Sequence, residues 1–450
     1  MKGFFIRNIL NRFVWPYLKG SDRYAYLKKL KKLERNPIEK NKQIQKKKLF
    51  ELVRHAHNNI PYYKKIIEKN KIKYSKETIF EDIKKFPVLT KKIIRENFYD
   101  LYDSGKVKNT FKNTSGGSTG EPVIFYQDKL MDDQGAAATI MFYYWAGRRE
   151  GDYMIKLWGD EREILRNAKG LDWFLIRHLK NIEIINTFKM DKKDMLNYVK
   201  IINKKKPKII EAYVQSIYEL AKFIKENNIK IHSPNGIITS AGTLHPKMKK
   251  EIEDVFNCNV LNRYGSREAG DMACSCKKDE GLHVNIFNHY FEILDKELND
   301  VKSAEYGKVY VTTLNNYVMP LIRYDIGDIA VPKKKERCSC GRGMPLIESV
   351  KGRENEIFKT KEGKLINPGI FRQLLYFKEW VDYYQIIQKD YDLIVYRIVK
   401  NSEPMKKDLM EIEDKVKKIM GNNCKTKWEF VKKIPPLKSG KYLYVLSEVE

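Results

Sequence analysis

The stretch that most constrains the fold of this 450-residue chain reads Thr114-Ser115-Gly116-Gly117-Ser118-Thr119-Gly120-Glu121-Pro122. Three glycines let backbone amides approach an anion closely, and four hydroxyls add donors for phosphate oxygens. No Lys-Ser/Thr pair follows the glycines, so this is not a Walker loop. A run of Gly, Ser and Thr also occurs in mobile linkers, but here β-prone residues follow it. The stretch therefore predicts a phosphate-binding loop that leads into a strand.

Strand-like and helix-like segments alternate beyond this loop. The strand-like runs are residues 122–126, 208–210, 236–239, 259–261 and 308–314, and the helix-like runs are 195–203, 216–227 and 246–255. This alternation predicts α/β layering. Residues 1–100 read as mostly helical.

A smaller α+β unit is predicted after residue 352. Its pattern gives strands at 383–388 and 392–399, a helix at 404–420 and a strand at 427–431. We therefore expect two domains, residues 1–352 and 353–450, with the small one at the C-terminus.

Composition excludes several classes of protein. Hydrophobic residues make up 42% of the chain, which excludes a disordered polycation, and six cysteines are too few for a disulfide scaffold. No apolar run approaches the roughly 18 residues of a membrane-spanning helix. We expect a soluble, cytoplasmic chain.

The formal charge is +29, from 87 Lys and Arg against 58 Asp and Glu. These residues are scattered, mostly Lys, and accompany no nucleic-acid-binding signature, so nucleic acid is not the favoured partner. Compositional bias explains most of the charge, and an anionic partner stays open. Residues 1–20 alternate basic and apolar side chains. They fit either a helix on the inner face of an anionic membrane or one packed on the protein.

A second cluster, Asn262-Arg263-Tyr264-Gly265-Ser266-Arg267-Glu268, follows the strand-like run at 259–261. We expect a turn there, because ligand-binding groups commonly follow buried strands in α/β proteins. Tyr264 can offer a ring face to a base, and Glu268 a hard oxygen to Mg²⁺. The alternative is a surface turn with paired charges.

Three further charged clusters lie towards the C-terminus. Asp328, in residues 323–328, can accept hydrogen bonds from a ribose. Residues 351–356 carry Arg353 at the expected domain boundary, and residues 435–441 present Lys441 on a loop. Taken singly, each also fits a solvated turn.

Four cysteines form two Cys-x-Cys pairs, Cys274 with Cys276 and Cys338 with Cys340. Two such pairs fit a tetrahedral zinc site, and in an intracellular chain disulfides are not expected. His283 is an alternative to one ligand of the first pair. We predict a structural zinc ion, although the spacing is tighter than the usual Cys-x₂-Cys.

In this order the motifs resemble the adenylate-forming enzymes, the superfamily of acyl-CoA synthetases, luciferases and nonribosomal adenylation domains. The chain is most similar to the phenylacetate–CoA ligase branch and to CapK-type proteins of capsular polysaccharide biosynthesis. Residues 55–63 and 86–92 are also similar to that branch, as is Cys338-Ser339-Cys340-Gly341-Arg342. The resemblance spans essentially the whole chain beyond residue 20. It implies a large multi-layer α/β domain with a small mobile α+β domain.

The resemblance also implies the site. Its ATP-binding residues would be Thr114, Ser115, Gly116, Gly117, Ser118, Thr119, Gly120, Ser240, Ala241, Gly242, Tyr264, Gly265, Ser266, Asp328 and Arg353. Within that set, 115–120 would hold the β- and γ-phosphates, 240–242 would line the adenine pocket, Tyr264 would stack on adenine, and Asp328 would bind the ribose. Glu268 would bind Mg²⁺, and Lys441 would complete the adenylation site. Asn355 occupies the hinge position where the family has a carboxylate, with Glu356 next, which puts the hinge assignment in doubt.

We expect an ATP-dependent ligase that adenylates a small carboxylic acid and releases pyrophosphate. The acyl group would pass either to a sugar or lipid-linked acceptor in cell-surface polysaccharide biosynthesis or to CoA. The alternative from another class is a non-enzymatic, basic nucleotide-binding protein.

Overall fold

The computed structural model describes residues 20–115, 123–158, 181–187, 190, 192–335, 337–353, 358–362, 365–366, 371, 374–375, 378–435 and 443–449. The chain divides into two compact units. Residues 1–326 and 330–350 form the first unit, and residues 327–329 and 351–450 form the second.

The first unit begins with helices. They are α1 (Arg23–Leu33), α2 (Ile38–Asn59), α3 (Pro61–Lys69), α4 (Ile79–Asp82) and α5 (Lys91–Glu96). On α2 the buried residues Leu49, Leu52, Val53 and Ala56 recur at helical spacing and pack into the main core. Pro61 occupies the first turn of α3, where its missing N–H costs no hydrogen bond.

A two-stranded hairpin then leads into a long helix. The hairpin pairs β1 (Thr110–Thr114) with β2 (Ile124–Asp128), and α6 (Lys129–Trp145) follows directly. Asp128 caps α6, because its Oδ1 accepts a hydrogen bond from the Met131 amide at 2.9 Å.

Eleven strands form the central sheet. They are β3 (Met154–Trp158), β4 (Ile182–Asn186), β5 (Ile209–Tyr213), β6 (Gly236–Ser240), β7 (Val260–Ser266), β8 (Gly270–Ser275), β9 (Leu282–Val284), β10 (His289–Leu294), β11 (Gly307–Thr313), β12 (Tyr324–Pro332) and β13 (Leu346–Arg353). Their spatial order is β10-β11-β12-β13-β9-β8-β7-β6-β5-β3-β4. Pairing is parallel from β4 to β7, and β7, β8, β9 and β13 pair antiparallel.

Side chains of the parallel half alternate between two cores. Helices α7 (Lys192–Lys205), α8 (Val214–Glu226) and α9 (Pro246–Phe256) cover one face, and Ile155, Ile210 and Ile237 point into that core. Met154 and Ile209 point to the opposite face, into the main core that α6 helps to form. A period of two residues is expected for strands buried on both faces.

The helices and strands predicted beyond residue 20 are present, with one difference that concerns the site. The helix predicted for residues 1–20 lies, except for Gly20, outside the described residues. The sequence predicted a strand at 259–261 followed by a turn, whereas β7 runs to Ser266. Its polar end stays extended because β8 pairs with it, Arg263 opposite Cys274. The true turn is therefore shorter and lies between Ser266 and Gly270.

The second unit contains a four-stranded sheet. Strands β16 (Val381–Asp390), β17 (Leu393–Lys400), β18 (Lys425–Phe430) and β19 (Val445–Ser447) lie in the order β18-β17-β16-β19, and β14 (Phe358–Lys359) pairs with β15 (Leu365–Ile366). Helix α10 (Lys406–Met420) buries Ile412, Val416 and Met420 in this unit's core. Within the described residues, no helix is both long and apolar enough to cross a bilayer.

Candidate active site

Two predicted segments meet at the carboxyl edge of the parallel strands. Ser240 ends β6, and Tyr264, Gly265 and Ser266 are the last three residues of β7. Strands β6 and β7 are parallel neighbours, so their carboxyl ends lie side by side. This edge is where α/β proteins bind ligands.

The backbone after β6 is shaped for a close approach. Ala241 adopts a left-handed conformation with φ of 59°, which turns the chain sharply away from the strand. At Gly242 a Cβ would lie 3.3 Å from the Cβ of Val214 on α8, which is tight for any side chain. The loop therefore presents backbone groups, as a pocket for a flat ring requires.

The β7–β8 turn carries Glu268. Gly265 is required there, because a Cβ would lie 2.6 Å from the carbonyl oxygen of Gly270. The Ala269 amide donates a hydrogen bond to Ser266 Oγ at 3.0 Å, which closes the turn. Glu268 is only 9% exposed.

The β1–β2 hairpin contacts this turn. The Ser115 amide donates to the Val123 carbonyl at 2.9 Å, and Ser115 Oγ accepts from the Val123 amide at 2.9 Å. Gln127 on β2 donates from Nε2 to the carbonyl oxygen of Arg267 at 2.9 Å. The hairpin that carries the predicted phosphate loop is thus tied to the Glu268 turn through Gln127, at the end of the hairpin away from the loop. Residues 116–120 themselves lie outside the described residues.

Sequence patterns did not identify Gln127, because its side-chain amide bonds to a turn that is 140 positions away in the sequence.

A cavity of about 590 Å³ lies between the hairpin, the start of α6 and the same turn. Its polar lining includes Lys112, Asn113 and Arg267. The volume is in the range of small-molecule sites.

An aromatic pair was also missed. Trp158 ends β3 and Tyr213 ends β5, two parallel neighbours. Their ring centroids are 4.1 Å apart. The signal available in the sequence was position, since both residues close apolar strands at the ligand-binding edge.

The other predicted ATP-site residues belong to the second unit or fall outside the description. Asp328 lies on β12 after Gly327, whose φ is 79°, and is part of the second unit. Lys441 and the hinge residues Asn355 and Glu356 lie outside the described residues, as does the side chain of Arg353 at the end of β13.

Three cysteines and a histidine converge in the antiparallel half of the sheet. One ligand-type atom from each of Cys276, His283, Cys338 and Cys340 lies within 4.8 Å of the others. The sulfur atoms of Cys276 and Cys338 are 3.7 Å apart, and Cys340 Sγ is 3.4 Å from His283 Nε2.

Cys274 is not part of this group. It lies on β8 directly opposite His283 on β9, and it is fully buried in the core. Cys276 follows the end of β8 and reaches the loop with Cys338 and Cys340. The group therefore contains the alternative, His283, in place of Cys274, because antiparallel pairing brings that histidine beside the loop.

Neighbouring side chains hold the Cys/His group in place. Arg342 lies over the Trp145 ring at 4.4 Å, and both side chains donate to Glu34 Oε2, at 3.2 and 2.8 Å. Burial alone would raise the pKa of Cys340, but hydrogen bonds from His283 and Arg342 bring that pKa down to about 5. A thiolate at this position is the form that binds metal.

Solved structures with this fold are adenylate-forming enzymes, so the predicted fold class is confirmed. A 2-hydroxyisobutyryl-CoA ligase in its postadenylation state superposes with a TM-score of 0.70 at 18% identity, over 93% of this chain and 91% of that one. The O-succinylbenzoate-CoA synthetase of Bacillus subtilis, solved with AMP, gives a TM-score of 0.54 at 14% identity, over 74% of this chain and 67% of that one.

Two groups of proteins are similar to this chain in sequence. Protein CapK of Staphylococcus aureus is 27% identical over 91% of this chain and 89% of its own length, and a family model for the CapK C-terminal domain matches residues 358–448. The phenylacetate-coenzyme A ligase of Thermus thermophilus is 21% identical over 79% of this chain and 80% of that protein. The predicted resemblance to both groups is confirmed. The predicted enzyme class, an adenylate-forming ligase, agrees with the two solved enzymes and with the phenylacetate-coenzyme A ligase.

Proposed function

We propose that this chain adenylates a carboxylic acid with ATP and transfers the acyl group to an acceptor. The observation that carries the proposal is the meeting of Ser240–Gly242, Tyr264–Ser266 and the Glu268 turn at one edge, against the hairpin that carries the Gly-rich loop. Similarity to CapK and to phenylacetate-coenzyme A ligases over most of the chain supports the same activity.

The reaction needs positioning and charge neutralisation more than a protein nucleophile. A carboxylate oxygen of the acid attacks the α-phosphorus of ATP and forms a P–O bond. The bond from that phosphorus to the bridging oxygen breaks, and its electron pair leaves with pyrophosphate. Tyr264 would stack on the adenine, the 240–242 backbone would line its pocket, and the Gly-rich loop would orient the leaving group.

Glu268 would hold Mg²⁺, which supplies positive charge against the phosphates when bound. A hard carboxylate oxygen in a turn tied to the phosphate-loop hairpin fits that ion. Asp328 would bind the ribose, with Arg353 nearby, and Lys441 would neutralise charge on the phosphates.

Pyrophosphate exchange across a panel of aryl, fatty, hydroxy and amino acids tests the proposal. At least one acid should support exchange, and Lys441→Ala should lower that exchange by about 100-fold or more. Lys432→Ala, in the same unit, serves as the control. Silence with every acid while ATP still binds would instead favour a non-enzymatic nucleotide-binding protein.

For the acceptor, we propose a sugar or lipid-linked molecule of cell-surface polysaccharide biosynthesis. The CapK relative and the CapK C-terminal domain match support this choice. CoA is a second candidate, favoured by the similarity to phenylacetate-coenzyme A ligases. With the acid known, rapid AMP release on adding CoA, with a thioester product, would identify a CoA ligase and reject the first choice.

We further propose that Cys276, His283, Cys338 and Cys340 hold a structural zinc ion. Sulfur atoms bound tetrahedrally at about 2.3 Å from one zinc lie about 3.8 Å apart. The observed Cys276–Cys338 separation of 3.7 Å fits that geometry. The N/S ligand set and four ligands are typical of structural zinc sites.

The N-terminal segment carries a separate proposal. Residues 1–20 would lie on an anionic membrane, bringing the site near a membrane-bound acceptor. If so, raising the salt should release the protein from anionic vesicles and leave pyrophosphate exchange nearly unchanged. Salt-insensitive or absent vesicle binding would refute it.

A further inference from the structure

A buried charge cluster lies just below the carboxyl edge of the parallel strands. Lys156 on β3 and Glu211 on β5 are register partners, and Lys156 Nζ is 2.8 Å from Glu211 Oε2. Arg263 on β7 reaches Glu211 Oε1 at 2.5 Å, and the Tyr143 hydroxyl donates to Glu211 Oε2 at 2.7 Å. One carboxylate thus receives two cations and a phenol.

Lys156 is the member of this cluster that reaches solvent. Its side chain is 27% exposed, against 2% for Glu211 and 6% for Arg263. Glu211 is its ion-pair partner among the described residues. An ammonium group has three protons, so it can still donate to a ligand. Burial would lower the pKa of Lys156, but the Glu211 carboxylate raises it, which keeps the group charged at neutral pH.

The ammonium lies beside the aromatic pair at the edge. Lys156 Nζ is 5.9 Å from the Trp158 ring centroid, and the Trp158 ring in turn contacts the Tyr213 ring, with centroids 4.1 Å apart. Residues two apart on a strand share a face, so Trp158 and Tyr213 lie one step nearer the edge than Lys156 and Glu211. Strand β5 is also the neighbour of β6, which ends at Ser240. The aromatic pair is therefore one to two strand spacings, about 5–10 Å, from the adenine-pocket loop.

We propose that Lys156 contacts the acid substrate and selects acids that carry a second oxygen acceptor in addition to the carboxylate to be activated. This inference rests on the proposed adenylation. An acid bound between the 240–242 loop and the Trp158–Tyr213 pair would extend over β5 towards Lys156. A hydroxyl, carbonyl or second carboxylate would accept a hydrogen bond from the ammonium. An alkyl group would displace the water that hydrates the ammonium without offering a hydrogen bond in its place.

Selectivity of this kind is strong, because a site built to hydrogen-bond a substrate group rejects the analogue that lacks it. We expect wild-type kcat/KM in pyrophosphate exchange to favour hydroxy or dicarboxylic acids over alkyl acids of matched length. In Lys156→Met the preference should shrink by about 10- to 100-fold, the effect of one charge-assisted hydrogen bond. Comparing the hydroxy acid with the dicarboxylic acid shows which oxygen group is read.

Lys222→Met is the matched control. Lys222 also pairs with a glutamate, Glu219 at 2.7 Å, and lies 5.2 Å from the Tyr218 ring, but it is on α8. The Lys222→Met variant should prefer oxygen-bearing acids as strongly as the wild type does. Because Lys156→Met leaves Glu211 with fewer partners, Lys156→Met/Glu211→Gln provides a second variant that removes both charges.

The outcomes separate the two proposals. Exchange with no acid in any variant rejects the adenylation itself. Exchange with undiminished discrimination in Lys156→Met and the double variant, or a wild-type preference for the alkyl acid, overturns the role of Lys156 while leaving adenylation intact.

Discussion

The central sheet contains two groups of buried polar side chains, which differ in how their polar atoms find partners. In the parallel half, Glu211 on β5 pairs with Lys156 on the neighbouring strand β3 and with Arg263 on β7, two strands away on the other side. In the antiparallel half, three cysteines and His283 face one another. The first group carries its own counter-charges. The second has a set of lone pairs that a cation would satisfy.

This difference separates two roles of buried polarity. A cluster that carries its own counter-charges needs no added component, and its solvent-reaching member, Lys156, has a side chain that is 27% exposed. If the thiol–imidazole group binds zinc as proposed, the stability of its half of the sheet depends on metal supply. Substitutions in either group test this difference.

The largest effect is expected at the Cys/His group. Cys338→Ser should reduce bound zinc from about one per chain to none, and lower the free energy of unfolding by about 5 kcal/mol or more. Elemental analysis and thermal unfolding provide the measurements. Cys274→Ser is the matched control and should keep its metal. Equal metal content in both variants would be incompatible with the proposed ligand set.

Next in size is the charge cluster. Glu211→Gln leaves Arg263 and Lys156 without their shared carboxylate and should destabilise the first unit by about 3–5 kcal/mol, measured by urea unfolding. Glu219→Gln, which breaks the more exposed Lys222 pair, should cost at most about 1 kcal/mol. Similar losses in the two variants would show that the cluster is not a structural element.

A third effect concerns chemistry alone. Glu268→Gln should lower pyrophosphate exchange by about 100-fold through weaker Mg²⁺ binding, and added Mg²⁺ should recover part of it. Its unfolding midpoint should stay near that of the wild type. Glu251→Gln on α9, where Glu251 pairs with Lys225, is the control. Wild-type exchange in Glu268→Gln would remove this residue from the site.

The smallest effect is a pH dependence. Burial would raise the pKa of Glu211, but Lys156 and Arg263 lower it to about 2. A carboxyl with a depressed folded-state pKa stabilises above its unfolded pKa, near 4.5, and this stabilisation is lost as the pH falls. The stability difference between wild type and Glu211→Gln should therefore shrink by about 1 kcal/mol between pH 6 and pH 3.5. A difference that is constant with pH would contradict this assignment.

The alternation of strands and helices predicted α/β layering, and the position of Tyr264 after a strand-like run predicted a ligand-binding end there. Ser240 was assigned only through the resemblance to the adenylate-forming enzymes. Ligand-binding residues of α/β proteins lie at the carboxyl ends of the strands, so the two segments share an edge. The same reasoning stopped the β7 strand too early, because polar residues from Asn262 onwards read as a turn. Only pairing with β8 keeps them extended.

Register explains side-chain groupings that no local pattern could specify. Lys156 and Glu211 are two charges within apolar strands, 55 positions apart, and become partners only through the alignment of β3 with β5. His283 joins the cysteines because β8 and β9 pair antiparallel. Neither alignment is encoded in a local pattern.

The order of strands in the sheet also bears on synthesis. Strands β3 to β7 lie consecutively within residues 154–266, so they can begin to pair soon after leaving the ribosome. Strand β9 must wait for β13, which starts at Leu346, and Cys276 must wait for a loop 62 positions later. A nascent chain in which β9 has left the ribosome but β13 has not would expose an incomplete antiparallel edge. Chaperone binding is therefore expected to concentrate on chains of this intermediate length.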